Sequence, residues 1–145
     1  MDRRDFLRGA LMLLGTTAIP HVNAAPLPRI WLDGINDDTE GLQAALSGLP
    51  FQADTELVSS DVKGLVHIRS GHLLTSNSLF VRGMRTLIIG DNDGPRMRWT
   101  HTTSDQISEI LNVSEFSTVK VQHLTWHTIH ALKFSPSIGA SVIIP

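Results

Sequence analysis

Residues able to do chemistry are few in this chain, and they fall in short clusters. FSTVKVQHLTWHTIH, residues 116–130, carries His123, His127 and His130 at spacings of four and three. On an α-helix those imidazoles would share one face and converge on a metal ion. Asp91, Asn92, Asp93 and Gly94 form a DNDG run, and Asp33, Asp37 and Asp38 stand close together; both are oxygen-donor patterns that calcium uses. Arg96, Arg98 and Lys120 are the cations placed to hold an acidic ligand. Trp99 and Trp126 have flat apolar faces on which a sugar ring would pack. There is no cysteine, so thiolate zinc sites and disulfides are excluded. Which of these sites exists depends on the backbone that carries them.

The first residues, MDRRDFLRGALMLLGTTAIPHVNAA, read as a targeting segment rather than as part of the fold. Arg3 and Arg4, one spacer, Phe6-Leu7, Arg8, an apolar run over 9–19 and a small-residue site at 22–24 occur in that order. The run is shorter than the ~20 apolar residues of a bilayer span. It resembles a bacterial twin-arginine signal over 1–25, which implies a periplasmic or secreted protein that meets the membrane only through the export machinery. Losing Asp2, Arg3, Arg4, Asp5 and Arg8 with that segment takes the formal charge from −2 to −3. So weak a charge argues against a general nucleic-acid or membrane-surface binder.

Residues 26–63 read as linker, helix and loop. Asp37, Asp38 and Thr39 are N-cap residue types, and Leu42, Ala45, Leu46 and Leu49 follow at helical spacing until Gly48 and Pro50. The stretch 51–63 shows no period and is expected to be a loop. From Gly64 the pattern becomes that of short strands separated by turn residues. Val66/Ile68, Leu87/Ile89, Val119/Val121 and Ala140/Val142 align at steps of 21, 32 and 21. Leu79/Val81, Leu111/Val113 and Leu132/Phe134 align at 32 and 21, and Met97/Trp99 aligns with Leu124/Trp126. Each pair keeps its apolar residues two apart, as a strand with one buried face requires. Three strands per repeat is the arithmetic of stacked turns, with an insertion near 100–109 accounting for the longer step.

DGINDDTEGLQAAL, GLVHIRSGHLLTSNSLFVRG, TLIIGDNDGPRMRW and TVKVQHLTW together resemble the N-terminal part of the pectate-lyase-like superfamily. That resemblance implies an all-β, right-handed parallel β-helix (solenoid) of about three coils over 64–145, incomplete at its C-terminal end, under a short capping α-helix. Ser70 replaces the proline usual before Gly71. The superfamily holds lyases, glycosidases and proteins without chemistry, so fold alone does not assign activity.

On a coiled strand path His123 falls at a corner and His127 at the next, so the metal convergence disappears and no metal site is expected. His67, His72 and His101 stand alone and are read as solvated. DNDG lacks the remaining ligands of a calcium loop and reads as a turn; calcium remains possible without support, and no cofactor is expected. Alternation with Met97 and Leu124 places Trp99 and Trp126 in the core. Outward positions carry Ile88, Lys120 and Ser141 beside Arg96 and Arg98, without the clustered carboxylates that glycoside hydrolysis uses. The expectation is an exported protein of the polysaccharide-binding or polysaccharide-processing type, without a complete active site. Arg96, Arg98 and Lys120 would contact acidic polysaccharide, and the open β-helix end would allow an oligomer. A surface, adhesion or assembly module is the alternative.

Overall fold

The computed structural model describes residues 26–102, 110–126, 128, 133–137 and 139–144. It is mostly β with a single named helix. In chain order the elements are β1 (Arg29–Ile30), α1 (Thr39–Leu46), β2 (Gln52–Ala53), β3 (Val58–Ser60), β4 (Leu65–Ile68), β5 (His72–Thr75) and β6 (Leu79–Val81). They continue with β7 (Thr86–Ile89), β8 (Arg98–His101), β9 (Leu111–Val113), β10 (Thr118–Val121), β11 (Phe134–Pro136) and β12 (Ser141–Ile143).

The sheets are ordered β12-β10-β7-β4-β3, β11-β9-β6, β5-β8 and β1-β2. Every pairing is parallel except that of β3 with β4. Successive strands visit three of the four arrays in a fixed order: β4, β5, β6, then β7, β8, β9, then β10, a bridge at Leu124 to Met97, and β11. Val66 pairs with Leu87, Leu87 with Val119 and Leu79 with Leu111, at the steps of 21, 32 and 32 that the apolar alignment requires.

In the last repeat the expected register is wrong by two residues. Val119 pairs with Val142, not Ala140, and Leu111 with Phe134, not Leu132; both steps are 23. The cause lies after Leu124, where the backbone at Trp126 and Thr128 is helical instead of extended and consumes extra chain. Trp126 is therefore not a counterpart of Trp99: Trp99 is 4% exposed and Trp126 65%. The expected loop over 51–63 contains β2 and β3, because Phe51, Ala53 and Val58 pack on the core. Thr100 and His101 belong to β8 instead of the expected insertion, whose residues 103–109 lie outside the described residues.

One apolar cluster runs through the molecule, from Ile30, Leu42 and Leu46 through Val66, Leu73, Leu87, Trp99 and Leu111 to Val119 and Leu124. Helix α1 lays Leu42, Ala45 and Leu46 on one end of it. Leu49 does not complete that stripe and is 59% exposed. Gly48, at φ 73°, ends the helix in a Schellman turn in which Gly48 N–H donates to Ala45 C=O and Leu49 N–H to Ala44 C=O.

Side chains around α1 also replace the strands that β5 and β6 lack on that side. Leu74 N–H donates to Asp38 Oδ2 (2.9 Å) and Ser76 N–H to Thr39 Oγ1 (2.7 Å). Asp38 Oδ1 accepts the N–H groups of Trp31 (2.6 Å) and Leu32 (3.2 Å). The Gln43 amide copies a peptide group, accepting from Phe80 N–H (2.9 Å) and donating to Phe80 C=O (3.2 Å). Asp38, expected to cap the helix with its carboxylate, makes no such bond; Asp37 does so through Thr39 N–H (3.0 Å).

Candidate functional site

The outer face of β5 and β8 brings an imidazole, a guanidinium and a hydroxyl together. Alternation buries Leu73, Thr75 and Trp99 and turns His72, Leu74, Arg98 and Thr100 outward. Trp99 Nε1 donates to Thr75 Oγ1 (3.0 Å), which fixes the two strands from beneath. Across the strands Asp33 bridges to His72 and His72 pairs with Arg98, so an acid, an imidazole and a guanidinium occupy one row. Thr100 stands diagonally from His72, with Oγ1 2.8 Å from His72 Nε2.

His72 is held from its other side by Gly34. The φ of 72° at Gly34 suits glycine, and a methyl group there would collide with His72 Nδ1. Asp33 is exposed and its carboxylate is turned toward its own loop: Oδ1 accepts from Ile35 and Asn36 N–H and Oδ2 from Asn36 Nδ2. Those bonds, led by Asn36 N–H, hold the Asp33 carboxyl below its ordinary pKa, so it is ionised at neutral pH. A hydroxyl, an imidazole and a carboxylate thus stand side by side. The carboxylate is committed to the Ile35 and Asn36 N–H groups and the Asn36 amide.

The expected cations do not converge. Arg98 is exposed within this row. Arg96 lies beside it in sequence but donates from Nη1 to Leu124 C=O (2.9 Å), tying the bridge at Met97 and Leu124. Lys120 is exposed on β10, in the other array, in a row with His67 and Ile88. His67 there places Nε2 2.8 Å from Gly90 C=O.

His123 sits at the bend after β10 with φ 45°, while His127 and His130 lie outside the described residues. Asp93 N–H donates to Asp91 Oδ1 (3.0 Å), the bond of an Asx turn. Among the described residues no three His, Cys, Asp or Glu side chains gather as metal ligands. A groove beside α1 is lined by Asp37, Gln43, Ser76 and Phe80, whose polar atoms are bonded to one another and to the edges of β5 and β6. Burial pushes the Asp37 carboxyl up, but the hydroxyl and N–H donors of Ser76 and Thr39 outweigh it, so its pKa is lowered. For Asp38 burial prevails over the Leu74, Trp31 and Leu32 N–H groups, the Asp33 charge adds to it, and the pKa is raised.

Sequence reasoning treated His72 as isolated and did not single out Trp31. The pairing of His72 with Arg98 was hidden because β5 was aligned with no other strand. Trp31 is 45% exposed, with the Arg29 guanidinium 5.2 Å from its ring centroid. Comparison with family models, with curated proteins and with solved structures finds no match.

Proposed function

We propose that this chain is an exported right-handed parallel β-helix protein that binds acidic polysaccharide on the outer face of β5 and β8. The fixed order in which strands visit three parallel arrays supports the coil, and the ordered arginine pair, Phe-Leu and apolar run support twin-arginine export. The observation that carries the binding reading is the pairing of His72 with Arg98 on a parallel sheet, with Thr100 diagonal to His72 and hydrogen-bonded to it. Arg98 supplies a planar charged donor for a sugar carboxylate, while Thr100 and His72 offer hydroxyl-sized partners. Binding rather than catalysis is the function, since Asp33, the one carboxylate in the row, is committed to its loop.

Affinity electrophoresis in gels containing polygalacturonate tests this, with a neutral glycan gel as the reference. The mature chain is expected to be retarded by the acidic polymer only, and added salt should release it. Arg98→Ala is expected to weaken binding about ten-fold, roughly one charge-assisted hydrogen bond, while Lys120→Ala leaves it nearly intact. Equal retardation by neutral glycan, or loss with Lys120→Ala alone, would refute the site.

A further inference from the structure

The end of α1 and the turn between β3 and β4 flank a cavity of about 490 Å³, apart from the face formed by β5 and β8. A volume of this order is usual for small-molecule sites, which run from roughly 300 to 1,000 Å³. The lining is mostly apolar: Ala45 and Leu49 come from the end of α1, Phe51 from just before β2, and Val62, Leu65 and Val66 from the turn and β4. Its charged residues are Arg85 and Asp61.

Each of these charges is held in place without being spent on the other. The backbone of Arg85, which leads into β7, is tied to the next repeat: its N–H donates to Ser117 Oγ (3.0 Å) and its C=O accepts from Thr118 N–H (2.8 Å). Its half-buried side chain runs across two glycines. A methyl group at Gly64 would stand 3.2 Å from Arg85 Cγ, and one at Gly48 would stand 3.0 Å from a guanidinium nitrogen. Among the described residues no hydrogen bond or ion pair claims the guanidinium, so its N–H donors are open to a ligand. Asp61 is exposed at the β3–β4 turn, where Oδ1 accepts the N–H groups of Lys63 (2.8 Å) and Leu65 (3.1 Å). Those bonds fix the carboxylate and leave Oδ2 open. Lys63, two residues on, does not line the cavity.

We propose that this cavity binds a small apolar zwitterion, an amino acid or dipeptide with a hydrocarbon side chain, with its carboxylate on Arg85 and its ammonium on Asp61. A guanidinium and a carboxylate that share a cavity without forming an ion pair are complementary to a ligand carrying both opposite charges. A simple anion would meet Arg85 but be opposed by Asp61, and a simple cation would meet Asp61 but be opposed by Arg85. The apolar lining takes the ligand's side chain, whose burial adds to the binding energy. This inference does not rest on polysaccharide binding.

Titration of the mature, ¹⁵N-labelled chain with leucine and with leucyl-leucine, followed by amide NMR shifts, is the test. At least one of the two is expected to move the Lys63 and Gly64 amides saturably, with a dissociation constant below about 1 mM, and the pair separates the amino acid from the dipeptide as ligand. N-acetylleucine lacks the ammonium and leucinamide lacks the carboxylate, so each is expected to bind at least about ten-fold more weakly than leucine. Arg85→Met keeps an unbranched stem over Gly64, and Asp61→Asn keeps a side-chain oxygen for the Lys63 and Leu65 N–H groups. Each is expected to raise the dissociation constant at least about ten-fold. If a variant does not fold, the two blocked ligands on the wild type decide. No saturable shift at Lys63 and Gly64 up to about 10 mM of either zwitterion, a blocked ligand that binds as tightly, or an unchanged dissociation constant in a folded variant would overturn the proposal.

Discussion

Asp37 and Asp38 are adjacent, yet their surroundings drive their proton equilibria in opposite directions. Asp38 is fully buried and accepts three backbone N–H groups from two separate segments, at Trp31, Leu32 and Leu74. Asp38→Asn keeps the shape but turns an amide NH2 toward at least one of those donors. Chemical denaturation should show a loss of about 1–3 kcal/mol, the cost of leaving a buried donor unmet. The raised pKa of Asp38 means that its protonation favours folding, a contribution fully present below the unfolded value of 3.8 and lost as pH rises through the folded value. The lowered pKa of Asp37 has the reverse effect: its contribution is present above 3.8 and is lost as pH falls through the folded value. Stability measured from neutral pH down to about pH 3 should therefore show the wild-type advantage over Asp38→Asn widening and that over Asp37→Asn narrowing. Parallel curves for the two variants would contradict this assignment of burial and hydrogen bonding.

Strand β8 and the helical turn after Leu124 separate two tryptophans that the apolar alternation treats alike. Trp99 is packed in the core with its indole N–H on Thr75, so Trp99→Ala should cost roughly 3–5 kcal/mol. Trp126→Ala, on an exposed helical turn, should stay within about 0.5 kcal/mol. Urea titrations of the two variants compare them directly, and similar losses would mean that both rings are core. The same contrast shows what the sequence could reveal. The registers at Val66, Leu87 and Val119 were legible because fully buried aliphatic residues repeat two apart in each strand, with no alternative alignment that keeps them inside. The last register was not legible, because Leu-Thr-Trp has the alternation of a strand while its backbone turns helical, and nothing in the three letters announces the change. Of the candidate site, Arg98 was legible as an outward cation. His72 and Asp33 were not, since their proximity comes from a bridge between residues 39 positions apart.

At the scale of the whole molecule, short parallel strands share one continuous apolar cluster, so stability is shared between neighbouring strands. Leu87 is the central case: it is fully buried, with Val66 paired on one side and Val119 on the other. Val142 has a neighbouring strand on one side and is only partly buried. Truncation in the middle therefore removes contacts in both directions, while truncation at the edge removes them in one. Leu87→Ala is expected to cost about 2–5 kcal/mol, and Val142→Ala about 1 kcal/mol or less. Because the apolar cluster is continuous from Ile30 to Leu124, Leu87→Ala should shift the unfolding curve as one transition, with tryptophan fluorescence and far-ultraviolet circular dichroism coincident. Two separated transitions would instead mean that the end under α1 and the end carrying β12 fold as independent units, and that the occupied edge on one side does nothing to hold the repeats on the other.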